Sequence, residues 1–584
     1  MASANYSVDD LRQKSEAGVV VPEISQPPLL AGDNEKTGSE SSSTPHVGPG
    51  GEAQADSGPV RSVVGVKWFL AYSSVLSTVL LFAIDGTIVS GIIATSALED
   101  IIPSHTIQVA DIQPAIIDSL GEVDKLAWIG VALSLGTVAI LPHGKALGVF
   151  NVKWYFITMV VGFEVGSVIC GAAPTLNVLI FGRFVQGFFG CGVYAGGLTC
   201  VGMSTTTHER PLYFSGIVGM YGVGSVIGPV IGGAFAQSSA TWRWSFYINL
   251  VVAGIFAPAM IFCLPNLNPV DLPFAKKIRT QDWIGIVIFL AGTACYAMAL
   301  TFGGNYYSFD SGQEIALWVM TGVLLIAFIL VTLYHPGVSK KNRLYPGHFA
   351  KRMDLNILQF QMFVCAGTMM STIYYTPLIF QFTKGDGPLK AGVRLLPLMS
   401  MVVFFSILNG ALMPKLGYYI PWYIFGNAVI LAGSTLMFVI DSKTSDSAIY
   451  GYTALIGMGI GSFLTASVAV AQAIVEPSDA SNAVGAMVGS QNVGTITFLG
   501  IAGSLYGNIG VEKLGQILPN HSPAELLQLT TGTHSPLYES LSPTLQIAVT
   551  EQVFLAIRNT YGIVLAGSAL SFIAALFLGR HKVY

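Results

Sequence analysis

The chain has 584 residues, of which 52% are hydrophobic and only 10% charged. A soluble domain carries about 25% charged residues, so there is too little charge here to cover a water-facing surface. The formal net charge of −4 gives no basic field for nucleic acid, and no nucleic-acid partner is expected. The mean hydropathy is +0.63 and the apolar residues fall in long runs, which describes a polytopic membrane protein and excludes most soluble enzymes.

Residues 1–60, with SESSSTP and GPGGEAQADSGP, are too polar to form a core and are expected to be a disordered cytosolic tail. No apolar segment follows Met1, so no cleaved signal peptide is expected. A membrane-spanning helix needs about 20 apolar residues. On that measure there are fourteen, near 64–95, 125–143, 154–173, 177–203, 212–236, 245–265, 282–302, 315–334, 356–381, 392–412, 418–440, 449–474, 482–508 and 560–579. The six cysteines all lie inside these runs without CxxC spacing and read as small core residues.

An even number of spans puts both termini on one side. With the N-terminus inside, the inner loops hold fourteen Lys and Arg residues and the outer loops eight, which favours cytoplasmic termini. The expected loop 509–559 then lies outside and carries a glycosylation triplet at Asn520, though Pro523 weakens it.

The loop after span two reads Gly144-Lys145-Ala-Leu-Gly148-Val-Phe-Asn151-Val-Lys153, and the one after span ten reads Gly410-Ala-Leu-Met-Pro-Lys415-Leu-Gly417. Both are short, basic and glycine-bearing, and they occupy the same relative place in two halves, as in a transporter built from repeats. The expected organisation is therefore a six-helix half at 61–270, an inserted pair at 271–354, and a second half at 355–584.

In span five, Gly224, Gly228 and Gly232 recur every four residues around Pro229, followed by Gly233. Small residues on one face admit a neighbouring backbone, and proline removes a backbone donor and bends the helix. A single GxxxG also occurs in ordinary packing; three stacked glycines around a Gly-Pro are more specific. Three charges lie at membrane depth: Asp85 in span one, Glu164 in span three and Arg183 in span four. Each costs about 2.5–3.5 kcal/mol on insertion scales, so each needs a role. A carboxylate taken out of water favours its protonated form and can load a proton, while arginine stays charged. A static ion pair is the plain alternative. Gln186, Tyr374, Tyr375, Asn409 and Gln491 are candidates for lining a substrate cavity, as are Phe404 and Phe405. There is no phosphate-binding GxxxxGK[ST] loop and no metal-ligand motif, so no cofactor or metal is expected.

These features resemble the major facilitator superfamily, specifically the fungal fourteen-span drug:proton antiporters and among them pumps that export toxins of the gliotoxin and aflatoxin kind. The matching residues are Gly182-Arg183-Phe-Val-Gln186-Gly187, Gly224-x3-Gly228-Pro229-x2-Gly232-Gly233, Thr241-Trp-Arg243-Trp-Ser-Phe-Tyr-Ile-Asn249, Phe163-Glu164-Val-Gly-Ser167 and Arg394-Leu-Leu-Pro397, across a chain matched from about residue 64 onward. The resemblance implies an all-α fold of two six-helix halves plus two inserted helices, working by alternating access with the proton gradient as driving force. It implies proton-coupling roles for Arg183, for Asp85 in Asp85-Gly-Thr-Ile-Val89 and for Glu164, an antiporter element in the span-five glycines, and a gating loop at Gly144, Lys145 and Lys153. A monomer exporting a hydrophobic small molecule through the plasma membrane, or a vacuolar or vesicle membrane, is expected; an importer of siderophore-type solutes is the alternative. A membrane sensor would need a folded signalling domain that the polar tail does not offer. Two departures stand out. The gating loop has Gly148 where the family has Asp and Asn151 where it has Gly, and residues 90–109 interrupt the family's pattern as an insertion or an unspliced intron.

Overall fold

The computed structural model describes residues 63–88, 116, 119–120 and 127–583, with short interruptions at 237, 305–306, 335–337, 341, 387, 531–535 and 580–581. The expected tail 1–60 and the interruption at 90–109 lie outside the described residues. The membrane helices, in order, are α1 (Gly65–Ile88), α2 (Trp128–Leu147), α3 (Val152–Gly171), α4 (Leu176–Ser204), α5 (Arg210–Ala236), α6 (Trp244–Cys263), α7 (Trp283–Phe302), α8 (Gly312–Tyr334), α9 (Met353–Lys384), α10 (Leu396–Leu416), α11 (Ile420–Phe438), α12 (Asp446–Ile474), α13 (Ala480–Ile517) and α14 (Pro543–Ala575). Thirteen are long and apolar enough on composition alone. The fourteenth, α13, is diluted by Ser, Asn, Gln and Gly, yet its residues 481–489 are buried inside the bundle, where neighbouring helices replace lipid.

Most helices begin and end within a few residues of expectation. Two depart. The helix α2 is interrupted by a turn at 138–139, because Pro142 has no N–H to offer the carbonyl four residues back. The last helix starts at Pro543 and not near 560, and α13 runs on to Ile517, so the join expected at 509–559 shrinks to 518–542 and itself holds the short helices Pro523–Leu529 and Pro536–Ser540. Ser542 caps α14 by accepting from the Leu545 N–H at 3.4 Å. Asn520 lies exposed in this join.

The inserted pair packs mostly on itself. No residue in the apolar window of α8 is buried, and few in that of α7, so this pair presents itself to lipid. The two six-helix sets, α1–α6 and α9–α14, meet along α5–α10, α2–α13, α5–α12 and α4–α13.

Their closest approaches fall at the end of the bundle that carries the basic loops, hereafter the basic end. A methyl added to Gly144 of α2 would lie 2.5 Å from the Gly485 Cα of α13, and one on Gly410 of α10 would lie 2.8 Å from the Pro211 carbonyl oxygen of α5. Gly202 of α4 meets the Gln472 side chain of α12 in the same way, at 2.7 Å. Glycine is required at Gly144 and Gly410 because a side chain there would part the backbones, whereas at Gly202 the neighbour is the flexible end of Gln472. Gly485→Leu is therefore expected to cost about 1–3 kcal/mol by overpacking and to lower the thermal unfolding midpoint of the purified protein. Gly451→Leu, whose added carbon meets nothing within 4 Å, should leave the midpoint unchanged.

Candidate functional site

Asp85 sits on the last turn of α1, and Arg183 near the start of α4, both in the third of the bundle away from the basic end. Arg183 Nη1 donates to Asp85 Oδ2 at 2.6 Å, with side-chain exposures of 1% and 0%. Its Nη2 reaches the Asp85 backbone carbonyl at 3.3 Å. The other carboxylate oxygen, Oδ1, accepts from Gln186 Nε2 at 2.8 Å and from Asn249 Nδ2 at 3.4 Å. Ser167 Oγ ties these donors together, accepting from Gln186 at 3.0 Å and from Asn249 at 3.2 Å. Gln186 in turn accepts from Arg183 Nη1 at 3.0 Å through Oε1, and the guanidinium lies 5.8 Å from the Phe246 ring centre.

One charge pair is thus held by α1, α3, α4 and α6. Gln186 is three residues beyond Arg183, on the same face of α4. A buried ion pair survives only when its remaining donors and acceptors are met, and here polar side chains from three helices surround the carboxylate. Gln186, expected in a substrate cavity, belongs instead to this network and is fully buried. Asn249 and Ser167 were not singled out as site residues, although each ends a motif quoted above: Ser167 closes Phe163-Glu164-Val-Gly-Ser167 and Asn249 closes Thr241-Trp-Arg243-Trp-Ser-Phe-Tyr-Ile-Asn249. The same stretch explains Arg243, whose Nη1 donates to the Gly171 and Ala173 carbonyls at 2.8 Å and so fastens the α3–α4 turn.

Glu164 lies in α3, half-buried, three residues before Ser167 of this network. Among the described residues, neither of its carboxylate oxygens meets a hydrogen-bond donor. The glycines of α5 come to the same place. A methyl on Gly224 would fall 2.7 Å from the Ala83 Cβ and 2.9 Å from the Leu80 carbonyl, and one on Gly228 would fall 2.9 Å from the Ile84 carbonyl. Gly224 and Gly228 therefore let α5 lie on the turn of α1 that carries Asp85, and Thr87 Oγ1, which donates to the Ala83 carbonyl at 2.9 Å, lies 3.5 Å from the Gly224 carbonyl across this contact. Gly232 is buried further along α5, while Pro229 and Gly233 lie within its helical run.

The expected gating loop is placed at the basic end. Gly144 forms the seam with Gly485, Lys145 is 6% exposed, and Lys153 lies half-buried with Nζ 5.7 Å from the Trp154 ring centre. Asn151, which stands where the family has Gly, caps α3 by accepting from the Trp154 N–H at 3.3 Å and donates to Asn266 at 2.6 Å. Beside it, His143 is buried, its ring nitrogens 2.7 Å from Tyr155 Oη and 2.9 Å from the Phe188 carbonyl.

The remaining cavity candidates do not converge. Tyr374 and Tyr375 stack edge to face at 5.0 Å, with Tyr506 6.0 Å from Tyr375. Asn409 is buried in α10, its amide 3.9 Å from the Met413 sulfur. Gln491 faces Tyr194, and Phe404 is exposed on the outer surface. One space between the halves, lined by Tyr194, Leu198, Phe214, Met362 and Leu464 among others, holds only ~10 Å³, about one water. This is the expected look of a transporter shut at the basic end.

The second half carries its own polar cluster, and it is neutral. Gln361 of α9 donates to the Ser571 carbonyl at 2.7 Å and accepts from Ser571 Oγ at 2.7 Å and from Asn427 Nδ2 at 2.8 Å. Its helices, α9, α11 and α14, are the repeat equivalents of α1, α3 and α6, but the cluster lies toward the basic end. The second half carries charge away from this cluster: Arg394, just before α10, pairs with Asp386, which follows α9, and with Asp446 at the start of α12.

Residues 75–312 match the family model described as Major Facilitator Superfamily. The chain is 46% identical to the efflux pump DEP3 of Fusarium langsethiae over 96% of this chain and 98% of that one. It is 39% identical to the MFS-type transporter pgmG of Aspergillus terreus over 90% of each, and 36% identical to the efflux pump alnA of Emericella nidulans over 90% of this chain and 92% of that one. In fold it matches the human organic anion transporter MFSD10, with a TM-score of 0.54 at 10% identity over 88% of this chain and 100% of that one.

The chain belongs to the major facilitator superfamily. It is a multi-pass membrane transporter of small molecules, related to fungal efflux pumps, and not an enzyme.

Arg183→Ala would leave Asp85 buried with no counter-charge, at an expected cost of about 3–5 kcal/mol. The double variant Asp85→Asn, Arg183→Gln removes both charges and should recover most of that loss. Thermal unfolding of the purified proteins checks the pair of values.

Proposed function

We propose that this protein is a proton-coupled exporter of a hydrophobic small molecule, working by alternating access with the proton gradient as its driving force. The observation that carries this reading is the Asp85–Arg183 pair, a buried charge pair with one titratable member in the half that packs through Gly224 and Gly228. When Asp85 is ionised, Arg183, Gln186 and Asn249 hold it, and with it α1, against α4 and α6. A proton on the carboxylate removes its charge, weakens the hold of Arg183, and frees the α1–α5 contact to shift. Glu164, three residues before Ser167 and without a hydrogen-bond donor of its own among the described residues, is the relay that passes the proton on.

The relatives named efflux pumps support export over import of a siderophore-type solute. Neighbours associated with secondary metabolism, such as the transporter of the phomenoic acid biosynthesis cluster of Leptosphaeria maculans, support a secondary metabolite, toxin or drug as cargo. A plasma-membrane or vesicle-membrane monomer, with cytoplasmic termini and an outward join carrying Asn520, completes the reading.

Cells carrying the wild type should accumulate less of a neutral hydrophobic dye than cells lacking it, and a protonophore should abolish the difference. Cells carrying Arg183→Ala, compared at equal protein in the membrane, should resemble protonophore-treated wild type. Equal accumulation with and without Arg183 and with and without the protonophore would sink the proposal.

A further inference from the structure

A crevice of ~220 Å³ lies beneath the inserted pair, walled by Phe289 of α7, Phe328 of α8, Phe363 of α9 and Gly489 of α13, with Tyr345 and Gln359 at the side nearest the basic end. Phe289 and Phe328 pack ring to ring at 5.4 Å and form the lipid-side wall. Tyr345 Oη and Gln359 bond each other at 3.1 and 3.3 Å, which places a hydrogen-bonding pair at the end of a mostly apolar slot whose α13 wall also carries Ser490.

Gly489 is the telling residue. Its neighbours on α13 are glycines for close packing: an added methyl would fall 3.0 Å from the Gly144 Cα at Gly485, and against the Phe363 carbonyl at Gly494. A methyl on Gly489 would meet nothing within 4 Å. Helix packing does not require glycine there, and a glycine in a helix interior costs about 0.5–1 kcal/mol against alanine. Its effect is to keep the crevice open, one turn from the Gly144–Gly485 seam.

Sites that enclose drug-sized ligands run to about 300–1,000 Å³. At ~220 Å³ the slot takes only the apolar part of such a molecule. Since α8 is unburied along its apolar window, the rest of the molecule would lie in lipid.

We infer that this crevice is an intramembrane entry site for the cargo: a neutral molecule with an apolar, ring-bearing body and one hydrogen-bonding end, entering sideways from the leaflet at the basic end. The inference rests on the transport of a hydrophobic molecule, but binding needs no gradient, so it can fail or stand separately from coupling. Lipid acyl chains share part of this chemistry; the aromatic walls and the hydrogen-bonding groups of Tyr345, Gln359 and Ser490 favour the ring-bearing cargo.

The test is saturable binding of N-phenyl-1-naphthylamine to the purified full chain, followed by fluorescence titration without a gradient. Wild type and Gly451→Leu should bind with the same Kd. Gly489→Leu and Phe289→Trp, which fill the slot from opposite walls, should each weaken binding by about tenfold or more, with elution profiles like wild type confirming that at least one is folded. Equimolar dioctanoylphosphatidylcholine should not displace the dye. No saturable binding to wild type, an unchanged Kd in the folded filled variants, or displacement by the phosphatidylcholine would each overturn the inference, the last making the slot a lipid seat.

Discussion

A carboxylate and a guanidinium in contact, at 0% and 1% exposure within a membrane bundle, set the terms for the first half of this protein. Removing both charges from water carries a penalty of several kcal/mol per ion, which attraction offsets only when geometry and further hydrogen bonds are favourable. Four helices are arranged to meet that condition. Asp85 comes from α1, Arg183 and Gln186 from α4, Ser167 from α3 and Asn249 from α6, so moving any one helix disturbs the partners of the others. A proton on Asp85 is a small chemical event, yet it acts on a joint shared by all four.

Glycine supplies the second constraint, because hydrocarbon gives no hydrophobic drive for helices to associate and close packing must do the work. At the Asp85 level, Gly224 and Gly228 seat α5 on α1; at the basic end, Gly144, Gly485, Gly202 and Gly410 seat one half on the other. The Asp85–Arg183 pair and the closed seam thus lie at opposite ends of the bundle, joined by continuous helices. The neutral Gln361–Asn427–Ser571 cluster on the equivalent helices of the second half binds without a titratable group. Of these two buried clusters only the first holds a titratable carboxylate.

Much of this was legible from residues alone, for physical reasons. Long apolar runs mark spans because lipid demands them, and Asp85, Glu164 and Arg183 stand out because charge at depth is costly. The glycine ladder of α5 announced a close helix contact, though not its partner. Partners were the hidden part: Asn249 and Ser167 are neutral, and neutral polar residues are too common in helices to single out before contacts are known. Tyr374, Tyr375, Asn409 and Gln491 failed to converge for the converse reason, since spacing along a helix does not say which face turns inward. The late start of α14 was missed because Thr544, Gln546, Thr550, Glu551 and Gln552 break the apolar run while still favouring helix.

The central claim is that protonation of Asp85 couples the gradient to transport. The direct measurement is uptake of a neutral hydrophobic dye into proteoliposomes holding the wild type or Asp85→Asn, with an imposed pH difference and, separately, with none. The account predicts that the wild type concentrates dye only under the pH difference, whereas Asp85→Asn equilibrates dye to the same level in both cases. Gradient-dependent accumulation by Asp85→Asn equal to that of the wild type would contradict it.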